Sequence, residues 1–139
     1  MNKKLSIDEK VQNFYETLPF NIYGDINIAV DRVKRISLFK IYPVLKKVFE
    51  KHKIVNVIDF GCGGGWLINS LAFNNNSNVY GLDFNKTALK YANDISKKLK
   101  LKTTLINSNI FEFETNLEFD LLISLGVLHH TNNCLKALN

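Results

Sequence analysis

Residues 57 to 71 read VIDFGCGGGWLINSL. An apolar run of strand length enters a turn in which Gly61, Gly63, Gly64 and Gly65 crowd together, and an apolar run of helical length leaves it. This stretch constrains the fold most. A strand too apolar to face water, followed at once by a helix, fits a parallel sheet whose crossover helix packs back on it. The glycines add a second constraint. They allow backbone conformations that side chains forbid, let a ligand approach bare main chain, and leave the N–H groups of a helix start open to negative charge.

The remaining sequence repeats the same rhythm. NVYGLDF (78–84) is expected as a second strand and NKTALKYANDISKKLKL (85–101) as a helix, with Ala88, Tyr91, Ile95 and Leu99 on one face and lysines opposite. TTLINSNI (103–110) is expected as a third strand and FDLLISLGVL (119–128) as a fourth, too apolar to be exposed to solvent. Strands alternating with helices predict an α/β, Rossmann-like parallel sheet. Ahead of it, Ser6 and Glu9 form a capping box that opens a helix closed by Pro19, and residues 28–52 are helical in period with a fresh start at Pro43. The chain therefore divides into an N-terminal helical cap, 1–53, and an α/β domain, 54–139.

Spacing narrows the ligand. No Lys-Ser or Lys-Thr follows the glycines, so a P-loop is excluded. A dinucleotide fingerprint counted from Gly61 and Gly63 puts its third glycine at position 66, where Trp66 stands; the bulk of the indole argues against an NAD-dependent oxidoreductase. The pattern present is Asp59-x-Gly61-x-Gly63-x-Gly65, with Asp83 at the end of the second strand. A carboxylate there can accept from both hydroxyls of a ribose, and Phe84 can lie against a base. The ligand expected is a nucleoside with a small acidic group and no pyrophosphate.

Charge and cysteines bound the setting. The net charge is +5, but the cations are dispersed lysines and only Arg32 and Arg35 are arginines, which argues against a dedicated nucleic-acid reader. Cys62 and Cys134 have no metal or redox spacing, and no metal site is expected. With no membrane-length apolar run, no signal pattern and two free thiols, a cytoplasmic location follows. The wealth of asparagine, lysine and isoleucine suggests a bacterial, low-GC gene.

VIDFGCGGG, VYGLDF, INSNIFEF and FDLLISLGVLHHT, in that order and at ordinary spacings, resemble four successive motifs of the class I S-adenosylmethionine-dependent methyltransferases. The resemblance runs from residue 54 to the C-terminus, and the GVLHH ending is similar to the branch that methylates small molecules, lipids and some RNA. It implies S-adenosylmethionine as cofactor and strand order 3-2-1-4 within a sheet of larger family members. It also implies roles. Gly61 and Gly63 would lie against the methionine portion, with Asp59 orienting its ammonium through water, and Gly65 completes the motif. Asp83 would hold the ribose, Asn109 would accept from the adenine amino group, and Phe84 and Ile110 would sandwich the ring. The backbone of Ser124 and Leu125 would line the methyl-donor end.

Plainer readings stand beside these. Asp59 can cap the turn, Asp83 can be the N-cap of the next helix, Asn109 can be a turn residue, and Phe84 and Ile110 can be core. Cys62 reads as a small turn filler, and His129 and His130 as partly structural, with a general base as the alternative. No catalytic residue is assigned. The chain stops at TNNCLKALN, where the family continues with three further strands, so the sequence carries the donor half of such an enzyme and little of the acceptor half. Two consequences are expected: a cofactor-binding module with little activity alone is the alternative to an active enzyme acting on an unidentified acceptor, and an exposed fourth-strand edge invites self-association.

Overall fold

The computed structural model describes residues 24–128, together with positions 10, 13, 14, 17, 22 and 135. The helix expected between Ser6 and Pro19 lies mostly outside the described residues; Lys10, Asn13, Phe14 and Thr17 are helical. His129, His130 and Cys134 also lie outside them.

Helix α1 (Ile26–Arg35) starts at Asp25, whose carboxylate accepts from the Asn27 N–H at 2.8 Å. Ala29, Val30 and Val33 form its buried stripe, at the spacing one helical face requires. The expected continuous helix up to Pro43 does not form. Ile36 is extended, and the chain restarts as α2 (Leu38–Ile41) and, with Pro43 at its first turn, α3 (Pro43–Lys51). The break re-aims the apolar residues. Val33 packs with Ile95, whereas Leu38, fully buried, joins the main core with Tyr42, Leu45 and Phe49.

Strand β1 (Asn56–Phe60) is followed by α4 (Trp66–Asn74), β2 (Asn78–Asp83), α5 (Lys86–Leu99), β3 (Thr103–Asn107) and β4 (Leu121–Ile123). The four strands form a parallel sheet in the expected order, β3-β2-β1-β4. In register, Asp59 lies beside Gly81 and Ile123, and Asp83 beside Asn107. Val57, Val79, Ile123 and the partly buried Leu105 pack with Ile68, Leu71, Leu89 and Ala92, so α4 and α5 cover one face. On the other face Phe113 meets Phe60 and Phe119 meets Tyr80, both edge-to-face. The crossover from β3 to β4 is thus an aromatic-bearing loop rather than a helix.

β4 is shorter than expected. It spans three residues, Leu122 is 50% exposed and Leu125 is 45% exposed, which corrects the reading of this stretch as too apolar to meet solvent. Among the described residues β4 pairs only with β1, so one side of it lacks a neighbour. Its register is set instead by Asp120, which accepts from the N–H groups of Val55 and Asn56 at 2.8 Å each, holding its carboxyl below the usual range.

Candidate functional site

The order of strands reverses beside β1: β2 and β3 lie to one side, β4 to the other. The carboxyl ends at such a switch point form the crevice where α/β sheets bind ligands. The residues expected to bind the cofactor, Asp59, Gly61, Gly63, Gly65, Asp83, Phe84, Asn109, Ile110, Ser124 and Leu125, lie at or just beyond this edge, at the end of β1, in the turn 61–65, or at or after the ends of β2, β3 and β4.

The turn is built from left-handed glycines, with φ of 74° at Gly61, 50° at Gly63 and 78° at Gly65. Its N–H groups are largely committed within the chain. Gly61 and Cys62 both donate to the Leu82 carbonyl, at 2.7 and 3.0 Å, and Gly65 donates to Cys62. Gly63 donates to the Asp83 carboxylate at 2.8 Å. Four of the turn's own N–H groups are thus taken up within the chain, and the expectation of open donors is narrowed to Gly64 and the first turn of α4. The bareness of two glycines is also used internally. A Cβ on Gly61 would meet the Val127 side chain at 2.4 Å, and one on Gly65 would meet the Ala92 Cβ at 2.3 Å. Gly65 is thus the close-packing glycine between α4 and α5. A dinucleotide fingerprint would place that glycine at position 66, where Trp66 instead turns its ring to the N-terminal helices, 6.4 Å from Tyr42 and 5.7 Å under the Arg32 guanidinium.

Asp83 is not a helix cap. Asn85 caps α5 by accepting from Ala88, while Asp83 accepts from Asn85 through one oxygen and from Gly63 through the other, each at 2.8 Å. It ties the glycine turn to the end of β2. Burial raises its carboxyl above the usual range, opposed by the N–H groups of Asn85, Gly63 and Phe84. Asp59, only 4% exposed, accepts from no donor among the described residues. Burial, and then the Asp83 charge, push it up to about 8. Register puts both carboxylates on the helix-covered face, with Gly81 between them in sequence and space. A Cβ at Gly81 would meet Ile68 and Cys62. Burial pushes the Cys62 thiol up, and the two carboxylates push it further, so it is a filler and not a nucleophile.

The other residues have mixed outcomes. Asn109 is a turn residue: its side-chain oxygen accepts from Phe111 at 3.0 Å. Phe84 and Ile110 are half-buried, and the Phe84 carbonyl accepts from Asn107, whose side chain also reaches the Asp83 carbonyl. The Ser124 hydroxyl donates to the Phe60 carbonyl at 3.2 Å, which fixes the end of β4 against β1. Val127, Asn85 and Asn107 were not singled out in the sequence. Only Asn85, as an Asn preceding a helical run, carried a local signal.

Three comparisons bear on this arrangement. A family model described as a methyltransferase domain matches residues 51–139. A ubiquinone biosynthesis O-methyltransferase of Rickettsia typhi is 28% identical over 131 residues, covering 92% of this chain and 52% of that protein. An uncharacterized protein of Methanocaldococcus jannaschii is 34% identical over 134 residues, covering 94% of this chain and 54% of its own length. The chain thus spans about half the length of the curated relatives it matches. Among solved structures, the magnesium protoporphyrin IX methyltransferase of Synechocystis PCC 6803 with bound SAM superposes with a TM-score of 0.66 at 17% identity, over 94% of this chain and 67% of that one. The [4+2]-cyclase SpnF superposes at 0.65 with 15% identity, over 92% and 53%. At such identities these two show the fold alone.

Proposed function

Since the chain belongs to the methyltransferase domain family, we propose that it holds S-adenosylmethionine at the carboxyl edge of β1 and β2 and serves transfer of its methyl group to an acceptor. The observation that carries this reading is the pair of buried carboxylates, Asp59 and Asp83, beneath the glycine turn. The pair suits a ligand bearing cationic groups and a ribose. It suits a pyrophosphate poorly, because two acidic side chains are buried beneath the turn, where an anion would lie, and the Gly61, Cys62, Gly63 and Gly65 N–H groups already donate within the chain. This, rather than the bulk of Trp66, argues against NAD.

In this reading Asp83 accepts from the ribose hydroxyls with the lone pairs that Gly63 and Asn85 leave free. Asp59 faces the cationic portion. Phe84 and Ile110 flank the base, with Asn109 beside it, and the backbone at Ser124 and Leu125 borders the donor end. The bound cofactor supplies a methyl group on a positive sulfur, already activated toward a nucleophile. The chain's task is to hold the donor in line and exclude water. The Rickettsia relatives named as O-methyltransferases support an oxygen nucleophile on a small-molecule acceptor. The free, buried thiol of Cys62 supports a cytoplasmic setting, and the half-exposed Leu122 on β4 supports self-association through that edge.

Calorimetric titration tests the reading. S-adenosylhomocysteine, the demethylated product, is expected to bind and NAD to give no heat of binding; the reverse outcome sinks it. Asp83→Ala is expected to weaken S-adenosylhomocysteine binding by about 1.5–3 kcal/mol, the scale of hydrogen bonds to a charged group. It should also lower stability, because the Gly63 and Asn85 N–H groups lose their acceptor. An unchanged dissociation constant would leave Asp83 a purely structural tie.

A further inference from the structure

The amino edge of the sheet, opposite the ligand crevice, carries positive charge that nothing in the chain answers. Lys97 and Lys98 lie in the last turn of α5, Lys100 and Lys102 lead into β3, and all four are exposed. No acidic residue occurs from 95 to 111. Among the described residues the ion pairs lie within α1, α3 and α5, and none includes these lysines. Asp94 pairs with Lys90, and Asp25 is engaged as the cap of α1.

The turn that presents the lysines is braced. The Lys100 N–H donates to the Lys97 carbonyl and the Leu101 N–H to the Ser96 carbonyl. The buried Ser96 hydroxyl donates to the Leu101 carbonyl at 3.1 Å and accepts from the Thr103 hydroxyl at 2.9 Å. Lys98 donates to the Asn27 side-chain oxygen at 2.6 Å, which brings Ile28, 56% exposed, to the margin of the patch. Lys100 holds φ 55°, the one left-handed residue other than glycine among the described residues. Glycine is what such a helix end favours. The α5 dipole accounts for cations in its last turn. It does not account for Lys102, nor for a strained Lys100 among like charges.

We propose that this turn docks the protein on an anionic lipid surface, with Lys97, Lys98, Lys100 and Lys102 at the headgroups and Ile28 beside them. A compact, hydrated charge on a flexible stem suits a diffuse layer of phosphates. A nucleic acid fits less well, because the turn holds no arginine fork and no aromatic ring for a base to stack on. Docking there turns the carboxyl edge away from the surface and leaves the crevice open. It uses no residue of the donor site and stands apart from the donor reading.

Sedimentation with lipid vesicles tests the docking. The chain is expected to bind phosphatidylglycerol vesicles and to leave phosphatidylcholine vesicles alone. It should come off as ionic strength rises from about 0.1 M to about 1 M, where the screening length falls from about 10 Å to about 3 Å. Lys100→Gly should lower the partition coefficient about fivefold, the weight of one lysine at such a surface. The same variant should unfold at an equal or higher urea concentration, because glycine holds φ 55° without strain. Adding Lys97→Gln, Lys98→Gln and Lys102→Gln should abolish measurable binding. Lys86→Gln, at the other end of α5 and about 16 Å from Lys97, should leave binding nearly unchanged. Equal losses in Lys86→Gln and Lys100→Gly would reduce the effect to net charge and overturn the proposal. So would no uptake by phosphatidylglycerol, equal uptake by both lipids, or binding of an RNA duplex without uptake by vesicles.

Discussion

Gly65→Ala is expected to destabilise the fold by about 2–5 kcal/mol. About 1–2 of this comes from holding a side chain in the left-handed region, where Gly65 sits at φ 78°. About 1–3 comes from overpacking, because the new methyl would stand 2.3 Å from the Ala92 Cβ and 3.0 Å from its Cα. The Cα belongs to the backbone of α5, so relief requires a shift of a helix and not a rotamer change. Gly126→Ala is the control. Gly126 is also left-handed, at φ 72°, but a Cβ there has nothing within 4 Å. It should cost only the conformational part, about 1–2 kcal/mol. Urea unfolding of both variants separates the two contributions, and equal losses would refute the close approach of α4 and α5. The same substitution should weaken ligand binding, since Gly65 joins the turn to α4 and the turn is clamped to β2 through Leu82 and Asp83.

The glycine pattern was legible as a statement about backbone conformation, and three of the turn's glycines are indeed left-handed. It was not legible as a statement about what fills the space beside each glycine. Val127 and Ala92, which do so at Gly61 and Gly65, come from distant parts of the chain and have no local signature. The same limit explains Trp66. Its bulk was visible, but the direction of its ring depends on where Arg32 and Tyr42 pack. The parallel sheet followed from alternation of apolar strands and helices, and its strand order from the resemblance to the methyltransferases. The short β4 and the break at Ile36 did not follow. Apolar periodicity reports which face is buried, whereas an edge strand with one neighbour and a helix that changes packing partner are tertiary facts. Asp83 was legible as a carboxylate at the carboxyl end of β2, and its bonds to Gly63 and Asn85 were not, since they require the turn and β2 to be folded together.

The ligand-free chain is expected to lose stability as pH rises from about 4 to about 8, and Asp59→Asn to abolish most of that slope. The ordinary carboxyl value is 3.8, and in the fold Asp59 is pushed up to about 8. Between those limits the unfolded chain has released a proton that the folded chain retains. Unfolding then releases a proton, and its free energy falls by about 1.4 kcal/mol for each pH unit to which this one group contributes. Above pH 8 both states are ionised and the loss stops. Asp83, also raised, adds in the same direction. Asp120 is lowered, so its contribution is present above 3.8 and fades only as pH falls below that, outside the window. Urea unfolding at pH 5.5, 6.5 and 7.5 reads the slope, and a wild-type chain as flat as Asp59→Asn would falsify the burial of an uncompensated acid at this position. The buried acid is thus destabilising to the ligand-free fold at neutral pH.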